Sequence, residues 1–378
     1  MVGRDGGSHK RSTKKRATKH KKVKPIRRDG YTTRRALQEI DLSYIDEMAM
    51  RTTGRNGFKT SSLIKALLLM YIRGMDSLLE LERFLRKHRE WLYFLDLKRT
   101  THGQMTYLAP HRTTYNKLIN RLGIETMTEI YTQLVIHMIE GGILKGHTLS
   151  VDATIIAAWF KDRQGRNGQH KRSRDTDASL GYDSYRETFV YGYKIHVVID
   201  VETGLPLCIA VTKAGYGESR TLRPFVDSIH QQYPLTVETL LADSGYDGNL
   251  NRLAIIQTLQ AIPYIDLNPR NCTGTTDTEK RARRKKLCET FYKKERVHEY
   301  WVDPESDSFK AIMNSRTYSE QTFSIMRDSL NLDSYRHRGL VWATAHAMLI
   351  GMSMLVVAHA AIAVKRPDLM RCIKCFRL

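Results

Sequence analysis

Apolar residues recur at helical spacing through the first third of the chain. Leu63-Ile-Lys-Ala-Leu-Leu-Leu-Met-Tyr-Ile72 and Leu78-Leu-Glu-Leu-Glu-Arg-Phe-Leu85 both follow that period. Asp76-Ser77 ahead of the second run suits a helix start. Pro110 to Leu122 predicts a further helix after a proline, and Met127 to Ile143 an amphipathic one, so residues 31–145 read as mainly helical. The period changes near 146. Val151 to Ala153 predicts a strand, and 161–188, which includes Lys171, Arg172 and Arg174, a polar loop. Tyr193-Lys-Ile-His-Val-Val-Ile-Asp200 alternates like a strand, Glu202-Thr-Gly204 turns, and Leu205 to Thr212 returns as a hairpin. Ser219–Gln232 and Asn249–Gln260 predict helices, Val237–Ala242 and Ala261–Leu267 strands. A basic insert, 268–313, separates the fifth strand from two closing helices near 315–330 and 340–364.

With 378 residues and 41% hydrophobic content the chain has room for two or three domains with cores of their own. A net charge of +21 implies a polyanionic partner. Much of the excess is local: residues 1–35 carry fourteen Lys/Arg against two Asp. Residues 1–30 read as a disordered basic tail, either simply solvated or touching phosphates. Five cysteines without a repeating framework suggest a reducing compartment. Cys372-Ile-Lys-Cys375 has the spacing of half a zinc site, with no matching pair elsewhere. The basic start has no apolar stretch behind it, so no secretory signal is expected. Leu340 to Val364 carries no Asp, Glu, Lys or Arg and is long enough to span a bilayer. Its His346, His359, Thr344 and Ser353, and its bulk of Ala, Met and Gly, instead predict a buried core helix.

Three acids stand in distinct settings. Asp152 lies inside the apolar strand Thr148-Leu-Ser-Val-Asp-Ala-Thr154, where a carboxylate is costly unless paired or metal-bound. Asp243 ends the strand Thr239-Leu-Leu-Ala-Asp243, and Glu320 opens the helical Glu320-Gln-Thr-Phe-Ser-Ile-Met-Arg327. Two strand ends and a helix each giving a carboxylate can hold two divalent ions for in-line displacement at phosphorus. Mg2+ or Mn2+ suits such oxygen ligands: Asp152 would bridge the two ions, and Asp243 and Glu320 would hold one each. Asp162, Asp175 and Asp177 compete from a polar loop, Asp200 from a turn and Asp247 as a helix cap. The order strand, strand, strand, helix, strand, helix, strand, helix matches an α/β, ribonuclease-H-like (retroviral-integrase-like) layout, and the acids fall where that layout places them. Domains are expected at 1–30 (tail), 31–145 (helical, DNA-binding) and 146–378 (catalytic, with the insert). Arg112, Lys117 and Arg121 either face phosphates or solvate their helix. The same choice stands for Lys280, Arg281, Arg283, Arg284, Lys285 and Lys286 in the insert, where nine Lys/Arg meet three Glu between 279 and 296. Tyr292, Tyr300 and Trp301 either stack on bases or pack the insert. Lys194 and His196 point to the site or lie on a strand surface.

Gly192-Tyr-Lys-Ile-His196, Asp200-Val-Glu-Thr-Gly-Leu-Pro206, Ala242-Asp-Ser-Gly-Tyr-Asp247 and Arg316-Thr-Tyr-Ser-Glu320 with Arg327 resemble prokaryotic insertion-sequence transposases of the DDE class over roughly 146–364. The third-acid signature of that family runs Tyr, two residues, Arg, three residues, Glu, six residues, Lys. Arg316 and Glu320 fit it, Met313 stands in place of the Tyr, and Arg327 in place of the Lys. The resemblance implies Asp152, Asp243 and Glu320 as the metal triad. It also implies Arg316 and Arg327 on transposon-end phosphates, two Mg2+ or Mn2+ ions, and at least a homodimer on paired double-stranded DNA ends. The expected location is the prokaryotic cytoplasm, in association with the nucleoid. Arg is well suited to phosphate, though not equivalent to Lys. Tyr318, two residues before Glu320, would face elsewhere on a helix.

These expectations describe an enzyme that binds the terminal inverted repeats of its own element, cleaves by metal-activated water and joins the 3′ hydroxyls to target DNA. The rivals are a ribonuclease-H-like nuclease or resolvase without joining, and a catalytically silent DNA-binding derivative.

Overall fold

The helical first third resolves into α1 (Thr33–Glu39), α2 (Tyr44–Met48), α3 (Thr60–Ile72), α4 (Leu78–Lys87), α5 (Glu90–Phe94) and α6 (Arg112–Glu140), with a hairpin of β1 (Lys98–Thr101) and β2 (Gln104–Tyr107) before α6. In this computed structural model the described residues are 32–49, 57–101, 103–159, 163–164, 170–171, 175–184, 186–268, 270 and 272–377. The basic tail 1–30, Asp162, Arg172 and Arg174 lie outside them, as does the side chain of Lys171. Ser77 caps α4, its hydroxyl accepting from the Glu80 amide at 3.2 Å. α6 joins the two helices expected between Pro110 and Ile143 across a kink at Gly123, whose φ of 68° favours glycine. The β1–β2 hairpin was not expected, because Lys-Arg-Thr-Thr carries no apolar alternation.

The remainder contains β3 (Thr148–Ala157), the short pair β4 (Arg163–Gln164) and β5 (His170–Lys171), β6 (Ser179–Asp183), β7 (Thr188–Asp200), β8 (Leu205–Lys213), α7 (Ser219–Gln232), β9 (Thr239–Ala242), α8 (Asn249–Ala254), β10 (Ile262–Ile265), α9 (Asp277–Lys294), α10 (Asp307–Met313), α11 (Thr317–Leu330) and α12 (Leu340–Ala363). The main sheet runs β10-β9-β3-β7, with β8 and β6 both paired to β7. β7 runs antiparallel to both β3 and β8, and β9 and β10 continue parallel to β3. This mixed sheet fits a ribonuclease-H-like catalytic domain.

β6 lies inside the segment read as loop, and β7 starts at Thr188 to pair with it. The polarity of β6 is inverted: Leu180 and Tyr182 are exposed while Gly181 and Asp183 are buried. A reading that places apolar residues inward therefore misses it. Gly181 packs against the Ala214 carbonyl so closely that a Cβ would lie 2.4 Å from it.

α12 is buried along almost its whole length and packs on α1, α3, α6 and β8. It is long and apolar enough to cross a membrane, but its surface is spent on the protein core. Its His346 sits between the Tyr71 hydroxyl (2.7 Å) and the Leu332 carbonyl (2.9 Å), and burial lowers its pKa to about 4, so it is neutral. Residues 31–378 form one compact unit. Cys372 and Cys375 are joined as a disulfide in the last turn of the chain.

Candidate active site

Sheet register brings the first two acids together. β3 and β9 run parallel with Val151 opposite Ala242, so Asp152 and Asp243 occupy the next position on neighbouring strands. Adjacent strands lie ~4.8 Å apart. The Asp152 side chain is 16% exposed. Burial pushes its pKa up to about 6; Arg316 and the Ala153 amide oppose that rise, and Asp243 and Glu218 add to it. Asp243 is also raised, first by burial and then by Glu218, against Arg316 and the amides of Gly245 and Tyr246. The Arg316 guanidinium lies 3.6 Å from the Asp152 carboxylate, and its buried Nε has no hydrogen-bond partner. Both acids thus carry charge that their surroundings under-compensate. A hard divalent cation with a preference for carboxylate oxygen would relieve it, so these two residues fit such an ion.

α11 lies along the same face of β3. The Ser319 hydroxyl meets that of Ser150 at 2.9 Å, and Arg327 hydrogen-bonds Thr154, so the helix passes Asp152 between these contacts. Thr322 further anchors it, donating to the Gly204 carbonyl at 2.9 Å. Arg316 precedes α11, and Glu320 sits on the exposed side of its first turn. Among the described residues no group of three or more His, Cys, Asp or Glu side chains converges as a metal cradle. Met313, at the expected tyrosine position, packs against the cluster of Val201, Leu241, Tyr264 and Phe309. Tyr318 does face away, its ring 5.7 Å from the Arg371 guanidinium.

Sequence reasoning missed Glu218. It precedes α7, where an acid looks like ordinary helix-terminus electrostatics. Yet its carboxylate crowds Gly245 together with that of Asp243: a Cβ there would lie 2.5 Å from Glu218 and 3.0 Å from Asp243. Lys194 reaches the site's edge through Glu218, at 2.8 Å. His196 instead is fully buried beside Thr212 (2.9 Å), and burial lowers its pKa to about 3, which makes it a neutral packing residue.

The competing acids have structural partners. Asp175 accepts from the Tyr193 hydroxyl at 2.6 Å and Asp177 from the Leu340 amide at 3.1 Å. Asp200 closes its turn through Thr203 at 2.8 Å. Asp247, expected as a helix cap, is instead buried between Arg252 (3.0 Å) and Arg284 (2.7 Å). Arg284 is thereby turned inward and does not offer its guanidinium to solvent. Arg281 pairs with Asp266 at 2.8 Å, and Lys285 with Asp303 and Glu305 at 2.8 and 2.9 Å. Lys280 lies 3.7 Å from Asp277, Arg283 donates to the Thr273 carbonyl at 3.2 Å, and Lys286 is exposed. Tyr292 and Trp301 pack edge to face at 5.1 Å inside the insert, with Tyr300 against the same cluster. In the helical third, Arg121 is tied to the Ala49 carbonyl (3.4 Å) and Thr60 (3.3 Å).

Residues 145–356, more than half of the chain, match the family described as a transposase DDE domain. Residues 24–121 match a second, described as a transposase domain (DUF772). No curated protein matches the chain. An acid-bearing mixed sheet, arginines laid along β3 and these two matches agree: the chain belongs to the DDE transposase family of insertion sequences.

Proposed function

We propose that this transposase binds the terminal inverted repeats of its own element, cuts the DNA by two-metal hydrolysis and joins the freed 3′ hydroxyls to a target. The observation that carries this reading is the in-register pair Asp152 and Asp243, charged side by side at one edge of a strongly basic protein. Bound Mg2+ or Mn2+ would supply an activated water and stabilise the leaving 3′ oxygen. Asp152 and Asp243 would hold the ions from the sheet, and Glu320 would have to join them from α11. Arg316 and Arg327, at either end of the stretch where α11 passes Asp152, align a strand's phosphates with the acids. Lys280, Arg283 and Lys286 add backbone contacts from the insert, where Asp266 already takes Arg281 and Asp303 and Glu305 take Lys285; Lys194 supports the acids through Glu218, and the helical third, 31–145, binds end DNA. Arg284 has no phosphate role in this scheme, because Asp247 already takes its guanidinium.

A second reading, a derivative that binds DNA without cutting it, draws on the exposed position of Glu320 and the absence of a converged three-acid cradle among the described residues. One assay separates the two. Purified protein, Mn2+ and DNA carrying the ends that flank its gene are incubated, with Asp152→Ala as control. Cleavage and joining by the unsubstituted chain, both lost in the variant, is the expected result. Cleavage without joining leaves a nuclease. Binding without cleavage by either protein leaves the silent derivative.

A further inference from the structure

Next to the acids, on the side away from α11, the first turns of α7 and α8 border an open groove of about 750 Å³. Arg220 and Arg223 line one wall, one helical turn apart and both exposed. Among the described residues neither forms an ion pair, in contrast to the cations of the insert. Arg284 lines the groove as well, with its charge already matched by Asp247. Asp227 is the single acid among the lining residues, and Leu250, 64% exposed, forms an apolar lip.

The groove is rigidly tied to the catalytic turn. The Asn251 amide nitrogen lies 2.9 Å from the Ser219 carbonyl, from the Ser219 hydroxyl and from the Tyr246 carbonyl. Asp243 caps that same turn through the Gly245 amide at 2.9 Å. The groove wall and the acid therefore move as one piece. Neither guanidinium is matched by an acid, Arg220 lying 5.9 Å over the Tyr216 ring, and two such forked donors beside an acidic site match a chain of phosphates better than any neutral ligand.

We propose that this groove seats the backbone of the DNA strand that leaves the acidic site, with Arg220 and Arg223 each neutralising a phosphate. The inference rests on the DNA-cutting reading above. It adds a phosphate track on the α7 side, opposite the one along α11.

The test measures binding of the full chain to a duplex carrying the element's end, by fluorescence anisotropy across a series of salt concentrations. Each phosphate contact contributes about 0.9 to the slope of log K against log salt. The variant Arg220→Ala/Arg223→Ala is expected to lower that slope by roughly two and the low-salt affinity roughly tenfold. Its stabilisation by Mn2+ should match the unsubstituted chain, which shows that the fold and the acids are intact. Lys365→Ala/Lys374→Ala removes the same charge from exposed positions elsewhere and should leave the slope unchanged. An unchanged slope in the arginine variant, or an equal loss in the lysine control, overturns the groove while the transposase reading stands. No DNA binding by the unsubstituted chain would overturn both.

Discussion

Asp243 and Asp247 lie on one turn, both largely withdrawn from water, and their proton affinities move in opposite directions. Burial pushes both carboxyls up. At Asp247 the bidentate contact with Arg284 and the charge of Arg252 outweigh burial and hold it below its ordinary value. At Asp243 the neighbours are Glu218 and Asp152, and Arg316, shared between both acids, does not restore the balance. A carboxylate whose partners belong to the fold is finished when the chain folds. One left short of positive charge stores a demand that a ligand can meet.

The comparison breaks most visibly at Asp247. Replacing it with Ala strands two guanidiniums in the interior, and loss of one partner of a buried ion pair costs about 3–5 kcal/mol. Urea unfolding of Asp247→Ala should show that loss at neutral pH. A cost within ~0.5 kcal/mol would mean the arginines find other partners and the contrast with Asp243 is not structural.

Asp152→Asn should move stability the other way. A folded-state pKa of about 6 lies above the ordinary 3.8, so the charged form is disfavoured by folding. Stability is then fully present below the unfolded value and falls as pH rises through the folded one. The variant escapes this penalty. It should exceed the parent by ~1–3 kcal/mol at pH 7.5 in EDTA, with the gap closing by pH 4. Saturating Mn2+ should reverse the order, since at about a thousand times its Kd a ligand adds about 4.1 kcal/mol to the form that binds it. A variant less stable than the parent at pH 7.5 in EDTA would show that Asp152 is a structural acid like Asp247.

Asp152 and Asp243 stood out in the sequence as candidates because each sits at an apolar strand, where an unpaired acid is costly. The strand order was legible for a related reason: β3, β7, β8, β9 and β10 are buried and alternate or run apolar. What stayed hidden depends on distant neighbours. The run Lys280–Lys286 reads as a phosphate grip, yet Arg281, Arg284 and Lys285 find acids at 266, 247, 303 and 305. Glu218 joins the site only because α7 begins where the turn after β9 ends. β6 escaped because it turns its apolar residues to solvent.

The smallest effect is expected at Lys194. It holds Glu218 at 2.8 Å while Glu218 presses on Asp152 and Asp243, so the lysine partly shields the two acids from the third. Lys194→Met removes the shield. The unbalanced charge should then raise the proton affinity of both aspartates, and protons compete with metal for the same oxygens. Mn2+ affinity measured by calorimetry should therefore rise severalfold at pH 8, where both aspartates are ionised and the added negative charge favours a divalent ion, and less at pH 6, where protons compete, and Lys194→Arg should return it toward the parent value. A lysine that only packs the strand predicts equal losses at both pH values. That outcome would place Lys194 with the finished interactions around Asp247, not with the unfinished ones around Asp243.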